Sequence, residues 1–321
     1  MKTLIVFLFA LTLFSLTHSA AAQVHVGSVN EVQSTLCSAG FASGATCFSA
    51  KVSCPGVADI GVTFGLKGNP TKGTIVFING TGDTVPSGSS TFAKTYVNAG
   101  FAIAQFIFAT DWENGGDILA SACRPATMLN FLHSTPSLPF CAQASSGGAG
   151  ASAYSLSWYG VELDNVEMLS GPVFSNIALG CRTPHASAVT VNPTNGSPFD
   201  DIPFYNQEFA EVSAWTNTSC LPKTPSTSAS LSSEAAQGIA QPGAVLSFPT
   251  TKLSGWVCDN GENPSAAQAY LWFSRVATPW NLTRISNCQG SEGVAQGTTP
   301  QGVPGSEAIA QDMIAKCLKT K

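Results

Sequence analysis

Charged side chains are scarce in this sequence. Only 10% of its 321 residues are Asp, Glu, Lys or Arg, against about a quarter in an average soluble protein. No two of the 14 basic residues are adjacent, so the chain lacks the basic patch that neutralises a nucleic-acid backbone. Apolar residues make up 44% of the chain, which is enough for a folded core. The composition therefore indicates a globular protein and excludes a nucleic-acid partner.

Long apolar runs are missing after the first twenty or so residues. Lys2 precedes an apolar stretch at residues 4–16, and small residues at 20–22 offer a cleavage site. This pattern is typical of a secretory signal peptide, and the stretch is shorter than the roughly 20 residues that span a bilayer. We predict a signal peptide at residues 1–22, a single domain at residues 23–321, no membrane span, and secretion from the cell.

Close-spaced metal ligands are also lacking. No Cys-x-x-Cys pair occurs, and the four histidines are isolated, so the sequence predicts neither a metal site nor a cofactor. All ten cysteines follow the predicted signal, which favours disulfides in an oxidising compartment. Spacing does not determine the pairing, but we expect bonds between Cys288 and Cys317 and between Cys181 and Cys220. Asn-x-Ser/Thr sequences predict a glycoprotein, at Asn195, Asn217 and Asn281.

Strands and helices alternate along most of the chain. Residues 48–52 and 59–64 predict an antiparallel hairpin. Residues 73–78 and 101–107 are continuous apolar strands, and residues 90–99 between them have helical character. Buried strands that alternate with helices indicate an α/β protein with a mainly parallel sheet.

The same alternation continues, with one interruption. Residues 173–244 lack it and are rich in Ser, Thr and Pro, so we interpret them as a cap inserted into the domain. The predicted helices are residues 118–131, 151–159, 265–276 and 306–318, and the predicted strands are residues 140–142, 166–169, 252–257 and 282–286.

A pair of serines lies between a predicted strand and a predicted helix. A strand, a tight turn with a serine among small residues, and a helix together form a nucleophile elbow. The residues two before and two after the nucleophile are pressed together there, so both must be small. Ser145 would have Gln143 in the first position, whereas Ser146 has Ala144 before it and Gly148 after it. Ser146 is therefore the better candidate nucleophile.

Two further segments have the order expected around such an elbow. Residues 79–82, Asn-Gly-Thr-Gly, follow the first apolar strand, where a second oxyanion donor is expected besides Gly147. Thr81 and Gly82 are the candidates, and a place inside the cleft would keep Asn79 from glycosylation. Asp259 and Glu262 follow a later strand and are alternative catalytic acids, although each could also be a solvated turn residue.

With these residues in order, the sequence resembles secreted members of the α/β-hydrolase superfamily from residue 73 to residue 318. The resemblance rests on the loop at 79–82, the elbow at 144–148, the cap insertion and the acid near Asp259. It implies a mainly parallel central sheet of about eight strands, flanking helices, and chemistry of the serine esterase or lipase type.

The histidine base of that superfamily is missing. The resemblance places it between the last strand and the last helix, but no histidine follows His185, and Gln301 occupies the slot. A glutamine amide cannot take a proton from Ser146 near neutral pH. His185, within the cap, is a possible substitute base, although an exposed loop residue is the simpler interpretation.

Three hypotheses follow. The chain is a serine hydrolase of neutral or apolar carboxylic esters with an unconventional or impaired base, it is a pseudoenzyme that binds a lipid, glycan or protein, or it is a purely structural secreted glycoprotein. The expected partner is a small-molecule ester or another apolar ligand, and the sequence does not indicate an oligomeric state.

Overall fold

Nine β-strands form one sheet within the residues that the structure, a computed structural model, describes: 25–88, 90–115, 117–133, 137–175, 238–258, 264–289 and 293–318. The strand order is β1-β2-β3-β5-β4-β6-β7-β8-β9. Strands β4 to β9 are mutually parallel, whereas β1, β2 and β3 are antiparallel additions at one edge. The predicted mainly parallel α/β sheet is confirmed.

The strands are β1 (Ser28–Thr35), β2 (Thr46–Ser53), β3 (Ile60–Lys67), β4 (Thr74–Ile78), β5 (Ala102–Phe108), β6 (Phe140–Ser145), β7 (Asn165–Leu169), β8 (Lys252–Cys258) and β9 (Trp280–Ile285). The helices are α1 (Ser90–Asn98), α2 (Ile118–Ser121), α3 (Cys123–Leu132), α4 (Gly147–Tyr159), α5 (Pro264–Phe273) and α6 (Gly305–Cys317).

Helices cover both faces of the parallel strands. Residues of α3, α4 and α5 pack into one apolar cluster, and residues of α1 and α6 pack into a second. The central strands are apolar on both sides because both of their faces are buried, as in β4 and β6. This burial explains why the sequence predicts them so clearly.

The predicted elements agree with the observed ones, with two exceptions. Strand β1 pairs with β2 at the sheet edge, and its sequence does not indicate a strand because its residues are mostly exposed and polar. The helix predicted at residues 118–131 is divided at Ala122 into α2 and α3. The hairpin, the remaining strands and the last helix lie where they were predicted.

Four disulfides occur among the described residues: Cys37–Cys47, Cys54–Cys123, Cys141–Cys317 and Cys258–Cys288. The predicted bond between Cys288 and Cys317 is therefore wrong. Helix α6 packs on β6 and β7, which brings Cys317 to Cys141 across a sequence separation of 176 residues. Spacing along the chain does not reveal a contact of this kind. Cys181 and Cys220 lie outside the described residues.

Several other predictions fall wholly or partly outside the described residues. These are the signal peptide, most of the cap, and Asn195 and Asn217. Near the two ends of the cap, the amide of Ile239 donates to the carbonyl of Phe174 at 3.0 Å. None of the described helices has the length and apolar character needed to cross a bilayer.

Asn281, the third predicted glycosylation position, is part of an internal polar network. Its Oδ1 accepts hydrogen bonds from Ser254 Oγ at 3.1 Å and from Lys316 Nζ at 2.6 Å. Lys316 also forms an ion pair with Asp312 at 2.7 Å. In the folded chain the Asn281 side chain therefore links β9 to β8 and α6.

A buried carboxyl group lies at the centre of β7, beneath α6. Glu167 is 0% exposed and accepts hydrogen bonds from Asn165 Nδ2 at 2.9 Å and from Trp256 Nε1 at 2.5 Å. Burial, and then the neighbouring Asp312, raises the pKa of Glu167 well above its ordinary 4.5. The folded protein therefore holds a proton on Glu167 at a pH where the unfolded chain has released it.

Because Glu167 keeps its proton in the folded state, we expect the free energy of unfolding to depend on pH. As the pH rises above about 4.5, only the unfolded state gains charge at Glu167, so the free energy of unfolding should fall by about 1.4 kcal/mol per pH unit until the folded-state pKa is reached. We expect Glu167→Gln to reduce this slope in urea titrations between pH 5 and 8. Exposed Glu162→Gln is the matched control and should leave the slope unchanged. An identical slope in wild type and Glu167→Gln would contradict the assignment.

Candidate active site

The backbone turns sharply where β6 meets α4. Ser145 ends the strand, Gly147 begins the helix, and Ser146 between them has φ 50° and ψ −119°. Residues other than glycine rarely adopt this backbone conformation. It costs on the order of 1–3 kcal/mol and is found mostly at functional sites. The Ser146 amide donates to the carbonyl of Leu169 at the end of β7, at 2.8 Å. Ser146 therefore stands at a strand-to-helix corner on the carboxyl edge of the sheet.

The residues two before and two after Ser146 are both buried. Ala144 is buried at the end of β6. A Cβ atom on Gly148 would lie 2.4 Å from the carbonyl oxygens of both Ile78 and Asn79, which leaves no room for a side chain. The first turn of α4 thus rests directly on the end of β4.

The loop that follows β4 lies over this corner. Asn79 organises the loop, because its Nδ2 donates to the carbonyl of Val85 and its Oδ1 accepts from the amide of Ser87, both at 2.6 Å. A Cβ atom on Gly80 would lie 3.4 Å from Ser146 Cβ. The side chain of Asn79 is therefore engaged in hydrogen bonds within the loop.

Thr81 is the loop residue nearest to the start of α4. A Cβ atom on Gly147 would lie 3.0 Å from the Thr81 amide nitrogen and 2.0 Å from its Oγ1. Among the described residues, no hydrogen bond uses the amide of Thr81 or of Gly147. The Gly82 amide, by contrast, donates to Asp111 Oδ1 at 2.7 Å, so the loop itself uses this candidate donor.

Two unengaged amides beside a serine can stabilise a negative oxygen. The amide of Gly147 belongs to the N-terminus of a 13-residue helix, where the helix dipole contributes positive potential. Thr81 supplies the second amide from the neighbouring strand end. Preorganised N–H donors of this kind stabilise the oxyanion that forms when a nucleophile attacks a carbonyl group.

Glu113 also lies at this site, and it is not among the predicted site residues. It follows β5, is 0% exposed, and its Oε1 accepts a hydrogen bond from Thr81 Oγ1 at 2.5 Å. Burial, the largest effect, raises the pKa of Glu113 to about 8, although the Thr81 hydrogen bond opposes this shift. The sequence carries no signal for this residue, because its burial depends on segments that are distant along the chain.

Of the other predicted site residues, the structure describes Gln301 alone. Gln301 is exposed, in a turn between β9 and α6 where the Gly302 amide donates to the carbonyl of Thr299 at 2.9 Å. Asp259, Glu262 and His185 lie outside the described residues.

A pocket of about 270 Å³ adjoins the elbow on the side of α1 and α6. Its lining includes Ser145, Leu169 and Phe92, together with Gln296 from the segment that connects β9 to α6. Of the three glutamines in that segment, Gln289, Gln296 and Gln301, Gln296 is the one that lines this pocket.

Comparison with known proteins identifies the fold. Neither a protein-family model nor a curated protein sequence matches this chain. Among solved structures, acetyl xylan esterase 1 from Thermoanaerobacterium sp. JW/SL YS485 has a TM-score of 0.57 at 12% sequence identity, covering 94% of this chain and 92% of its own. Acetyl xylan esterase from Paenibacillus sp. R4 has a TM-score of 0.56 at 10% identity, covering 89% and 88%. The chain has the α/β-hydrolase fold, as its sequence predicted.

Because α4 and β4 are in close contact at Gly148, we expect one added methyl group there to destabilise the fold strongly. Gly148→Ala would press a Cβ atom into the carbonyls of Ile78 and Asn79, so we expect it to lower the free energy of unfolding by about 2 kcal/mol or more. Gly61→Ala is the matched control, because a Cβ atom there lies 3.5 Å from Ala109 Cβ, an ordinary contact. Urea unfolding of both variants measures the difference, and equal stabilities would contradict the described contact.

Proposed function

We propose that this protein is a secreted serine hydrolase of neutral carboxylic esters, with Ser146 as its nucleophile. The observation that carries the proposal is the strained corner at Ser146, with the amides of Gly147 and Thr81 beside it. The α/β-hydrolase fold supports it, and the two similar structures described above are both named acetyl xylan esterase.

The proposed reaction proceeds in two steps. Ser146 Oγ attacks the ester carbonyl carbon, and the resulting oxyanion accepts hydrogen bonds from the amides of Gly147 and Thr81. The intermediate expels the alcohol, which takes up the proton that Ser146 released, and leaves an acyl-enzyme. Water then attacks the acyl group and regenerates the free serine. The acid of the site is proposed to be Asp259, with Glu262 as the alternative.

The proton of Ser146 needs an acceptor for this reaction to be fast. Gln301 and Gln296 cannot accept it near neutral pH, and His185 remains the proposed substitute within the cap. Removing the base from a serine hydrolase costs roughly 10⁴ to 10⁶ in rate, but the oxyanion site still supplies roughly 10³ to 10⁴ over the uncatalysed reaction. Slow, Ser146-dependent turnover is therefore the expected activity.

A pseudoenzyme is the second candidate function. It is favoured by the sequence itself, in which no histidine follows His185 and a glutamine stands in the slot that the resemblance assigns to the base. Such a protein would bind a lipid, glycan or protein ligand without turnover.

Covalent labelling separates the two functions. We expect a serine-directed fluorophosphonate to modify the protein at one site, because this reagent needs a serine exposed beside oxyanion donors. Ser146→Ala should abolish labelling, whereas Ser145→Ala should retain it, as measured by intact-protein mass spectrometry. No modification of wild type at neutral pH would favour the pseudoenzyme, and loss in Ser145→Ala alone would move the nucleophile to Ser145.

Histidine substitutions test where a proton acceptor for Ser146 can be placed. We expect Gln296→His to raise p-nitrophenyl acetate hydrolysis at least tenfold above wild type at pH 7.5, because Gln296 lines the pocket at the elbow and an imidazole is largely neutral there. Gln301→His is the matched comparison, and Ser146→Ala gives the blank. A larger gain in Gln301→His would place the base at 301 instead, and unchanged rates in both variants would contradict a base in this segment.

A further inference from the structure

The Glu113 carboxyl group is enclosed between the Thr81 loop and the start of α4. Its Oε1 receives the hydrogen bond from the Thr81 hydroxyl and would lie 2.9 Å from a Cβ atom on Gly147. Its Oε2 is buried and has no hydrogen-bond partner among the described residues. The proposed reaction described above gives this carboxyl group no role, although it lies beside both proposed oxyanion donors.

Burial and the groups that face Glu113 together determine its charge. Asp111, two residues before it, disfavours the ionised form, and Arg124 on α3 favours it. The Arg124 guanidinium already donates to the carbonyls of Trp112 and Ala58, at 3.0 and 2.8 Å. Tyr154 on α4 also faces the carboxyl group and is buried. Desolvation outweighs these effects and raises the pKa of Glu113 to about 8, so the group is neutral at pH 7.

The protonation state of Glu113 decides which way the Thr81 hydroxyl points. An ionised carboxylate can only accept, so the Thr81 proton must be directed at Glu113. A neutral carboxylic acid can donate to Thr81 Oγ1 instead, which leaves the hydroxyl proton to bond elsewhere. Thr81 Oγ1 lies next to Gly147. The hydroxyl hydrogen, still bonded to Oγ1, can therefore point at an oxygen that the two amides hold.

We propose that Glu113 is a positioning residue that, as a neutral acid, turns the Thr81 hydroxyl proton toward the carbonyl oxygen of a bound ester. Thr81 then provides two donors to the oxyanion, its N–H and its O–H, and Gly147 provides the third. No proton is transferred; the hydrogen bond between Thr81 and Glu113 only reverses its direction. The inference rests on the proposed function, because it needs an ester that reacts with Ser146.

The experiment is a pH profile of kcat and kcat/KM for p-nitrophenyl acetate between pH 6 and 10, corrected with Ser146→Ala. In wild type, kcat should fall at least tenfold as the pH rises through about 8, because loss of one oxyanion donor costs roughly 10²- to 10³-fold. Glu113→Gln should lack this fall, since its amide can donate to Thr81 at every pH. KM should change little in either protein.

Two variants at Thr81 keep the test independent of whether Glu113→Gln folds. Thr81→Ser retains the hydroxyl and should show the alkaline fall. Thr81→Val has a similar shape but no hydroxyl, so its kcat should be low at all pH values and without the fall. Thermal melts identify any variant that does not fold.

The outcomes separate the two claims. Wild-type hydrolysis no faster than the Ser146→Ala blank at any pH overturns the proposed function, and the role of Glu113 with it. Hydrolysis whose alkaline fall persists in Glu113→Gln or in Thr81→Val overturns the role of Glu113 alone. A fall present in wild type and Thr81→Ser and absent from Thr81→Val supports it, whether or not Glu113→Gln folds.

Discussion

The close approach of two backbones, at the end of β4 and the start of α4, determines the rest of the site. Gly148 allows the helix to rest on the carbonyls of Ile78 and Asn79, and Gly147 allows Thr81 to lie against the helix N-terminus. Ser146 is held at positive φ because the chain must pass between these contacts and its hydrogen bond to Leu169. A side chain at either glycine would push the loop away from the helix. The amides of Thr81 and Gly147 would then no longer lie side by side.

The two backbones are distant along the chain, but the small residues that their contact requires lie close together at positions 144–148, which is why the sequence predicts them. The small residues at positions 144–148 indicate that the backbone around Ser146 is crowded. The apolar runs of the central strands indicate that both faces of the sheet are buried. Most of the fold could be predicted for the same reason. Strand β1 could not, because an exposed edge strand gains its structure from pairing with β2 and leaves little apolar pattern.

Features that depend on distant segments could not be predicted. The bond of Cys141 to Cys317 exists because α6 returns to pack on β6. Glu113 is buried only because the loop after β4, helix α3 and helix α4 enclose the segment that follows β5. A single glutamate after a strand has the same appearance in a sequence whether it is solvated or enclosed, so its raised pKa is a property of the folded chain alone.

The charges around the Thr81 loop bear on what the site can hold. Among the described residues, the ionisable side chains that bond to this loop are carboxyl groups: Asp83 accepts from the amide of Gly80, Asp111 from that of Gly82, and Glu113 from the Thr81 hydroxyl. An anionic substrate would meet these groups at the oxyanion site, whereas a neutral ester would develop negative charge only on the oxygen that the N–H donors face. The carboxyl groups of the loop therefore oppose an anionic substrate, which agrees with the proposal of a neutral ester.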